Sequence, residues 1–355
     1  MVGSEPQRIA GLDPRRLRLG LVVAVGIGVT AGLVVALVTG GHEVLAGIRK
    51  LPLSWLALAL ALSVASWFLQ GLGFAALTAR GVRGHVLRMT AAFLGGDFPA
   101  LVTPFGSGGI PGGVFSLTRE GLSAGEASAV IAMHSLLTGA FFVLFGAFAA
   151  VMLPLRGTGS AVLVWSGFGA ILLIVGLIVW IALRPTHATQ LLARALSSKA
   201  VARAVGRERA ERLVTSAERE AELFASAVRM LTHEKPSALA LSFFGLFTSR
   251  LCLVVTLPVI MYGLGWRGDV LPLLATAVGA MSLSIASPTP GGSGAVEVAT
   301  TALLATQAPV AIAGAATLLW RGITYYTEVL AGWIIFSRYL TMKPKAPEPA
   351  DISAR

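Results

Sequence analysis

The segment Thr103-Pro104-Phe105-Gly106-Ser107-Gly108-Gly109 returns 186 residues later as Thr289-Pro290-Gly291-Gly292-Ser293-Gly294-Ala295, with Thr, Pro, Gly, Ser and Gly in the same order and spacing. Each copy follows about fifteen mainly apolar residues, Met89 to Val102 and Ala275 to Pro288. A short semi-polar segment and then a long apolar one come after each. Proline lacks an N–H and glycine weakens helices, so each knot interrupts whatever helix leads into it. In hydrocarbon the freed backbone groups find no water, and irregular backbone survives only where protein buries it or where it lines a wet cavity. Two breaks at corresponding places in two halves are the mark of a binding site in a repeat-built membrane transporter. Chance likeness between two glycine-rich loops is the competing explanation.

The apolar surroundings fix the class. The chain is 55% hydrophobic and 13% charged with mean hydropathy +0.79, against about 25% charged in an average chain. That makes it one integral membrane body rather than two soluble domains. Cys252 is the single cysteine, which excludes a disulfide framework and zinc-finger spacing. The net charge of +11 does not point to nucleic acid, because the basic residues cluster between apolar runs and so report membrane orientation. Arg15-Arg16 precedes an apolar run from Gly20 that continues without a cleavage site, so an uncleaved first span is expected there.

Residues 1–19 read as a cytoplasmic tail, residues 20–340 as the membrane domain and residues 341–355 as a disordered cytoplasmic tail. Spans are expected at about 20–39, 53–79, 127–153, 161–183, 237–264 and 311–337. The second carries Gln70, which must face protein or water. Between Gly95 and Gly113 lie seven glycines, together with Asp97, Pro99, Pro104 and Pro111, so 89–118 cannot be one continuous helix. It reads as a re-entrant hairpin, and 271–307 as a second. A limb of about fifteen residues reaches only about 22 Å, short of a hydrocarbon core of ~30 Å, which favours re-entrance over eight full spans. Residues 185–236 hold an amphipathic cytoplasmic hairpin: the stretch from Arg184 has ten Lys/Arg and six Glu, with Leu213, Ala217, Ala221, Phe224, Val228 and Leu231 along one face. The positive-inside rule then places both termini in the cytoplasm. The expected fold is therefore all-α and polytopic, with about six transmembrane helices and two re-entrant hairpins. Repeat 1 (about 53–154) and repeat 2 (about 238–338) are inserted in opposite senses.

Few ionisable groups lie inside the apolar segments: Asp97, His134, Arg250, Glu297, Arg321 and Glu328. A charged side chain at mid-membrane costs ~2.5–3.5 kcal/mol or more, so each should be paired or face a cavity. One arrangement is a polar cavity between the repeats in which Arg250 and Arg321 bind an anionic phosphate head group. Thr103, Pro104 and Ser107, and Thr289, Pro290 and Ser293, would then present backbone N–H groups at half-helix N-termini, with Glu297 and Glu328 nearby. Asp97 and His134 are secondary polar candidates. The other arrangement makes Asp97/Arg250 and Glu297/Arg321 structural ion pairs that lock the halves. Arg321 and Glu328 are two helical turns apart and share a face.

No catalytic set is expected. The five histidines are scattered with no His-x-x-x-His pair, Ser107 and Ser293 lack a Gly-x-Ser-x-Gly elbow, and there is no phosphate-binding nucleotide loop. No metal and no cofactor are expected.

Thr103 to Pro111, followed by Val114-Phe115-Ser116-Leu117 and Glu120 to Ala127, resembles the lysylphosphatidylglycerol synthase transmembrane-region family. So does Ser287 to Glu297 with Leu319-Trp320-Arg321-Gly322-Ile323-Thr324-Tyr325-Tyr326, and the likeness covers roughly 20–340. The family is similar to the membrane half of the bacterial multiple-peptide-resistance factor, which flips aminoacylated phosphatidylglycerol. The resemblance places Glu297 and Arg321 on the family's characteristic acidic and basic positions. Two departures stand in the first half: Ser135 where many members carry Arg after the histidine, and no acidic residue near Gly109. With only a short tail after the last span, no soluble aminoacyltransferase domain is expected.

The resulting expectation is a flippase-like transporter in the bacterial inner membrane. It would move an anionic or aminoacylated phospholipid, or a polyprenyl-phosphate lipid, between leaflets. The alternative is a non-transporting partner that scaffolds a separate lipid-modifying enzyme, docked on 185–236. A lipid-linked glycosyltransferase ranks third for want of an acid/base cluster. Membrane lipids with phosphate head groups are the expected partners, and oligomerisation stays open.

Overall fold

The computed structural model describes residues 51–78, 85–152 and 236–342, with a few single positions outside them. The expected first span, the span at 161–183, the 185–236 hairpin and both tails lie outside the described residues. Every element within them is helical, and no strand occurs among the described residues.

α1 (Leu53–Leu77) is followed by α2 (Val86–Leu101), a 3-10 turn at Pro104–Gly106, α3 (Gly109–Arg119) and α4 (Ala124–Met152). The order then repeats with α5 (Pro236–Gly263), α6 (Val270–Ala286), a 3-10 turn at Pro290–Gly292, α7 (Ala295–Ala305) and α8 (Val310–Arg321). A π-helical turn, Gly322–Tyr326, joins α8 to α9 (Thr327–Thr341). α1, α4 and α5 each contain a stretch long and apolar enough to cross a membrane. The 186-residue offset of the two knots holds for the starts of both turns, of α3 and α7, and of α4 and α8.

The knots take the shape that their sequence dictates. A residue before proline is driven out of the helical region. Accordingly Thr103 (φ −118, ψ 149) and Thr289 (φ −91, ψ 149) are both extended, and each opens its 3-10 turn. The residue after each proline is left-handed with nearly identical angles, Phe105 at φ 55, ψ 19 and Gly291 at φ 56, ψ 19. Glycine accepts that conformation freely; a phenylalanine there is under strain. The two turns meet each other, and the Phe105 N–H donates to the Ser287 carbonyl at 3.1 Å.

α2 lies against α3, and α6 against α7. Each hairpin also packs on the last helix of the other half: α2 on α9, and α6 on α4. α1 and α5 form the broadest helix pair. Lipid is as apolar as leucine, so such contacts depend on close approach rather than on escape from water. The α2–α3 hairpin shows this. A Cβ on Gly96 would lie 2.8 Å from the Gly113 Cα, and one on Gly112 would lie 2.6 Å from the Gly96 carbonyl oxygen. The glycine richness around the first knot is thus spent on bringing two backbones into contact. Among the described residues, apolar packing falls into three clusters, around Phe141, Leu257 and Trp320, around Phe74, Phe93 and Leu117, and around Phe98, Phe115 and Phe336.

Candidate functional site

A cavity of about 630 Å³ opens where the two turns meet, and its wall comes from both halves. Of the residues that the sequence singles out, it takes Asp97, Ser107, His134, Arg250, Arg321 and Glu328. Thr103, Pro104, Thr289, Pro290 and Ser293, which build the turns, and Glu297, in the first turn of α7, are not part of the wall. Phe74, Phe93, Phe142, Leu253 and Trp320 make much of the remaining surface apolar.

The threonines serve as internal braces. Thr103 Oγ1 donates to the Pro99 carbonyl at 2.7 Å and accepts the Gly108 N–H at 2.8 Å. Thr289 Oγ1 donates to the Ser293 carbonyl at 2.8 Å and lies 2.8 Å from Ser287 Oγ. Both satisfy backbone groups that the broken helices leave open.

The second turn is clamped by charge. Arg321 Nε donates to Glu297 Oε1 at 2.8 Å, and its Nη2 donates to the Gly291 carbonyl at 2.9 Å. Its guanidinium lies 4.0 Å above the Tyr325 ring. Glu297 Oε2 accepts the Gly294 N–H at 2.7 Å, so the carboxylate caps α7 and occupies the anion-attracting end of that helix. Arg321 is only 5% exposed and Glu297 1%, and each has its strongest partner in the other. Tyr325 fills the space beside Gly291 and donates from its hydroxyl to the Leu101 carbonyl at 3.0 Å, which ties the clamp to the first half.

The first half lacks these parts. At the same 186-residue offset, Glu297, Arg321 and Tyr325 correspond to Pro111, Ser135 and Gly139. Ser135 and Gly139 border the cavity, and Ser135 Oγ donates to its own helix at Ile131. The cavity therefore extends into the place that the clamp fills in the other half. Phe105, 59% exposed, stands at its edge.

Arg250, from α5, is differently placed. Its Nε is buried without a hydrogen-bond partner. Asp97 of α2 and Glu328 of α9 line the same cavity and act on Arg250 electrostatically. Glu328, from the same half as Arg250, thus joins the expected Asp97/Arg250 pair on that wall. The π turn between Arg321 and Glu328 shifts their register from that of a plain α-helix, yet both still reach the cavity wall. His134 is held by Gln70, with His134 Nε2 2.9 Å from Gln70 Oε1, and by an edge-on contact with Phe74. That accounts for the polar residue in the second expected span. No group of three or more His, Cys, Asp or Glu is placed to hold a metal among the described residues.

One charged cluster carries no signal in the linear sequence. Arg88 Nε donates to Glu120 Oε2 at 2.9 Å, Arg88 Nη2 to the Glu120 carbonyl at 3.1 Å, and the Tyr339 hydroxyl to Glu120 Oε1 at 2.9 Å. It joins the open ends of α2 and α3 to α9, and Arg88 in the sequence alone registers only as a membrane-orienting charge.

No solved structure matches the chain. A UPF0104 membrane protein of Archaeoglobus fulgidus is 26% identical over 258 residues, which span 70% of this chain and 74% of the relative. Residues 19–332 match the family described as the lysylphosphatidylglycerol synthase TM region, covering both knots, the clamp and Arg250, and the chain belongs to that family.

Proposed function

We propose that this chain moves phosphate-bearing lipids between the leaflets of a membrane, without chemistry on them, and that Arg250 holds the phosphate. The observation that carries this reading is the buried, unpartnered Nε of Arg250 on the wall of a cavity shared by the two halves. A guanidinium offers five donors in a fork that suits phosphate. Arg321 is a weaker candidate, because Glu297, Gly291 and Tyr325 already engage it. The cavity's volume lies within the range of small-ligand sites, and its aromatic and aliphatic wall suits the glycerol and first acyl carbons. The family description, which names an aminoacylated phospholipid, supports an anionic or aminoacylated phospholipid as cargo; a polyprenyl-phosphate lipid offers the same phosphate.

In this reading α2 and α3 form one re-entrant hairpin and α6 and α7 another. Their 16, 11, 17 and 11 residues give helices of about 16–26 Å, each short of a ~30 Å core. The halves are inserted in opposite senses, six helices span, and both termini face the cytoplasm of a bacterial inner membrane.

Purified protein in vesicles of phosphatidylcholine and phosphatidylglycerol should speed exchange of fluorescent phosphatidylglycerol, read by quenching of the outer leaflet. Arg250→Gln should slow that exchange about tenfold or more, as expected for losing a charge-assisted hydrogen bond. Undiminished exchange in a folded Arg250→Gln protein would overturn the assignment. Exchange that needs an added lipid-modifying enzyme would favour the scaffold role instead.

A further inference from the structure

Three helices bring charge to one point of the cavity wall: Asp97 from α2, Glu328 from α9 and Arg250 from α5. The other ionisable groups facing them are His134 of α4, held by Gln70 of α1, and Tyr325 in the π turn; Arg321 of α8 is already matched by Glu297 of α7. Asp97 and Glu328 come from helices that pack together, and both line the same cavity as Arg250. Two carboxylates gathered with a single guanidinium in an apolar wall leave one negative charge in excess, and like charges in such surroundings favour holding a proton between them. With one proton the triad holds one guanidinium and one carboxylate and is neutral.

A phosphate monoanion arriving at Arg250 changes the balance. It competes with the remaining carboxylate for the same cation and repels it across a short distance in a medium of low dielectric. A second proton, taken from water onto that carboxylate, removes the repulsion and leaves Arg250 to the phosphate. No covalent bond in the ligand changes.

Building on the lipid-phosphate reading of this cavity, we propose that Asp97 and Glu328 form a proton-binding pair that takes up one proton as a phosphate group settles on Arg250. Binding of the two ligands is then mutually reinforcing, since linkage is reciprocal. A proton gradient across the membrane biases the direction of lipid movement by the same coupling.

The test measures the affinity of purified protein for fluorescent phosphatidylglycerol across pH. Displacement by dimethyl phosphate, a soluble diester that keeps its charge throughout, forms a second arm. One proton per ligand predicts affinity that rises about tenfold for each pH unit lowered within the coupled range. The Asp97→Asn/Glu328→Gln double variant mimics the doubly protonated pair and should bind at the low-pH affinity with no pH dependence. His134→Gln should keep the slope. The same slope for dimethyl phosphate assigns the coupling to the phosphate alone, whereas failure of that competitor assigns it to phosphate presented on a lipid. A flat affinity in the unaltered protein, which needs no variant to fold, overturns the coupling while lipid binding stands. So does a slope that survives in the double variant and vanishes in His134→Gln. Absence of lipid binding at every pH instead removes the transport reading itself.

Discussion

Replacing Arg321 with Gln separates a structural arginine from a ligand-binding one. The wild-type side chain makes a buried ion pair with Glu297 at 2.8 Å, a hydrogen bond to the Gly291 carbonyl at 2.9 Å and a cation–ring contact with Tyr325 at 4.0 Å. Breaking one side of a buried pair costs about 3–5 kcal/mol in soluble proteins. The three contacts share one group and do not add. Glutamine can keep one hydrogen bond, and Glu297 keeps its bond from the Gly294 N–H. A loss of about 3–4 kcal/mol follows, which for a chain of this size is roughly 4–5 °C in apparent Tm. Thermal unfolding followed by tryptophan fluorescence in a single detergent measures it. Glu297→Gln should cost nearly as much, and the double variant less than the sum, with a coupling of about 1–3 kcal/mol. Lipid exchange by Arg321→Gln should fall only as far as the folded fraction falls, in contrast to Arg250→Gln. An apparent Tm within about 2 °C of the parent, combined with lost exchange, would refute the clamp and make Arg321 the ligand's partner.

Gly291→Ala should destabilise more than Gly106→Ala by about 2 kcal/mol or more. Both glycines are left-handed, at φ 56 and φ 62, but an added Cβ meets the Tyr325 ring only at Gly291 and nothing within 4 Å at Gly106; equal shifts in apparent Tm would contradict this account. After Cys252→Ala, cysteines placed at the exposed positions Ala124 and Thr306 should react with an impermeant maleimide from opposite faces of the membrane, and labelling of both from one face would rule out oppositely inserted halves.

What could be read from the residues alone was local. A knot of Pro and Gly breaks a helix, and the constant offset between the two knots sets the register of the elements after them. Gln70, Asp97, Arg250, Glu297, Arg321 and Glu328 stood out because charge and amide groups are costly in apolar surroundings. Which of the two arginines is already neutralised could not be read, because that depends on where α7 and α8 meet. Nor could the entry of Glu328 beside Asp97 and Arg250, which brings together three helices distant in sequence. The π turn escaped for another reason: the spacing of Arg321 and Glu328 fits a plain helix equally well. The Arg88–Glu120–Tyr339 cluster links residues 32 and 219 positions apart, and such separations leave no periodicity to detect. Tyr325 occupying the space beside Gly291 is likewise a product of tertiary packing.

The backbone contact within the α2–α3 hairpin limits the routes that the proposed transport role could use. Where Gly96 lies against Gly112 and Gly113 there is no seam wide enough for a water molecule, far less a head group, to slip between the two arms. Under the proposed transport role, a lipid would pass alongside the hairpin, through the cavity that it lines together with α4 and α5.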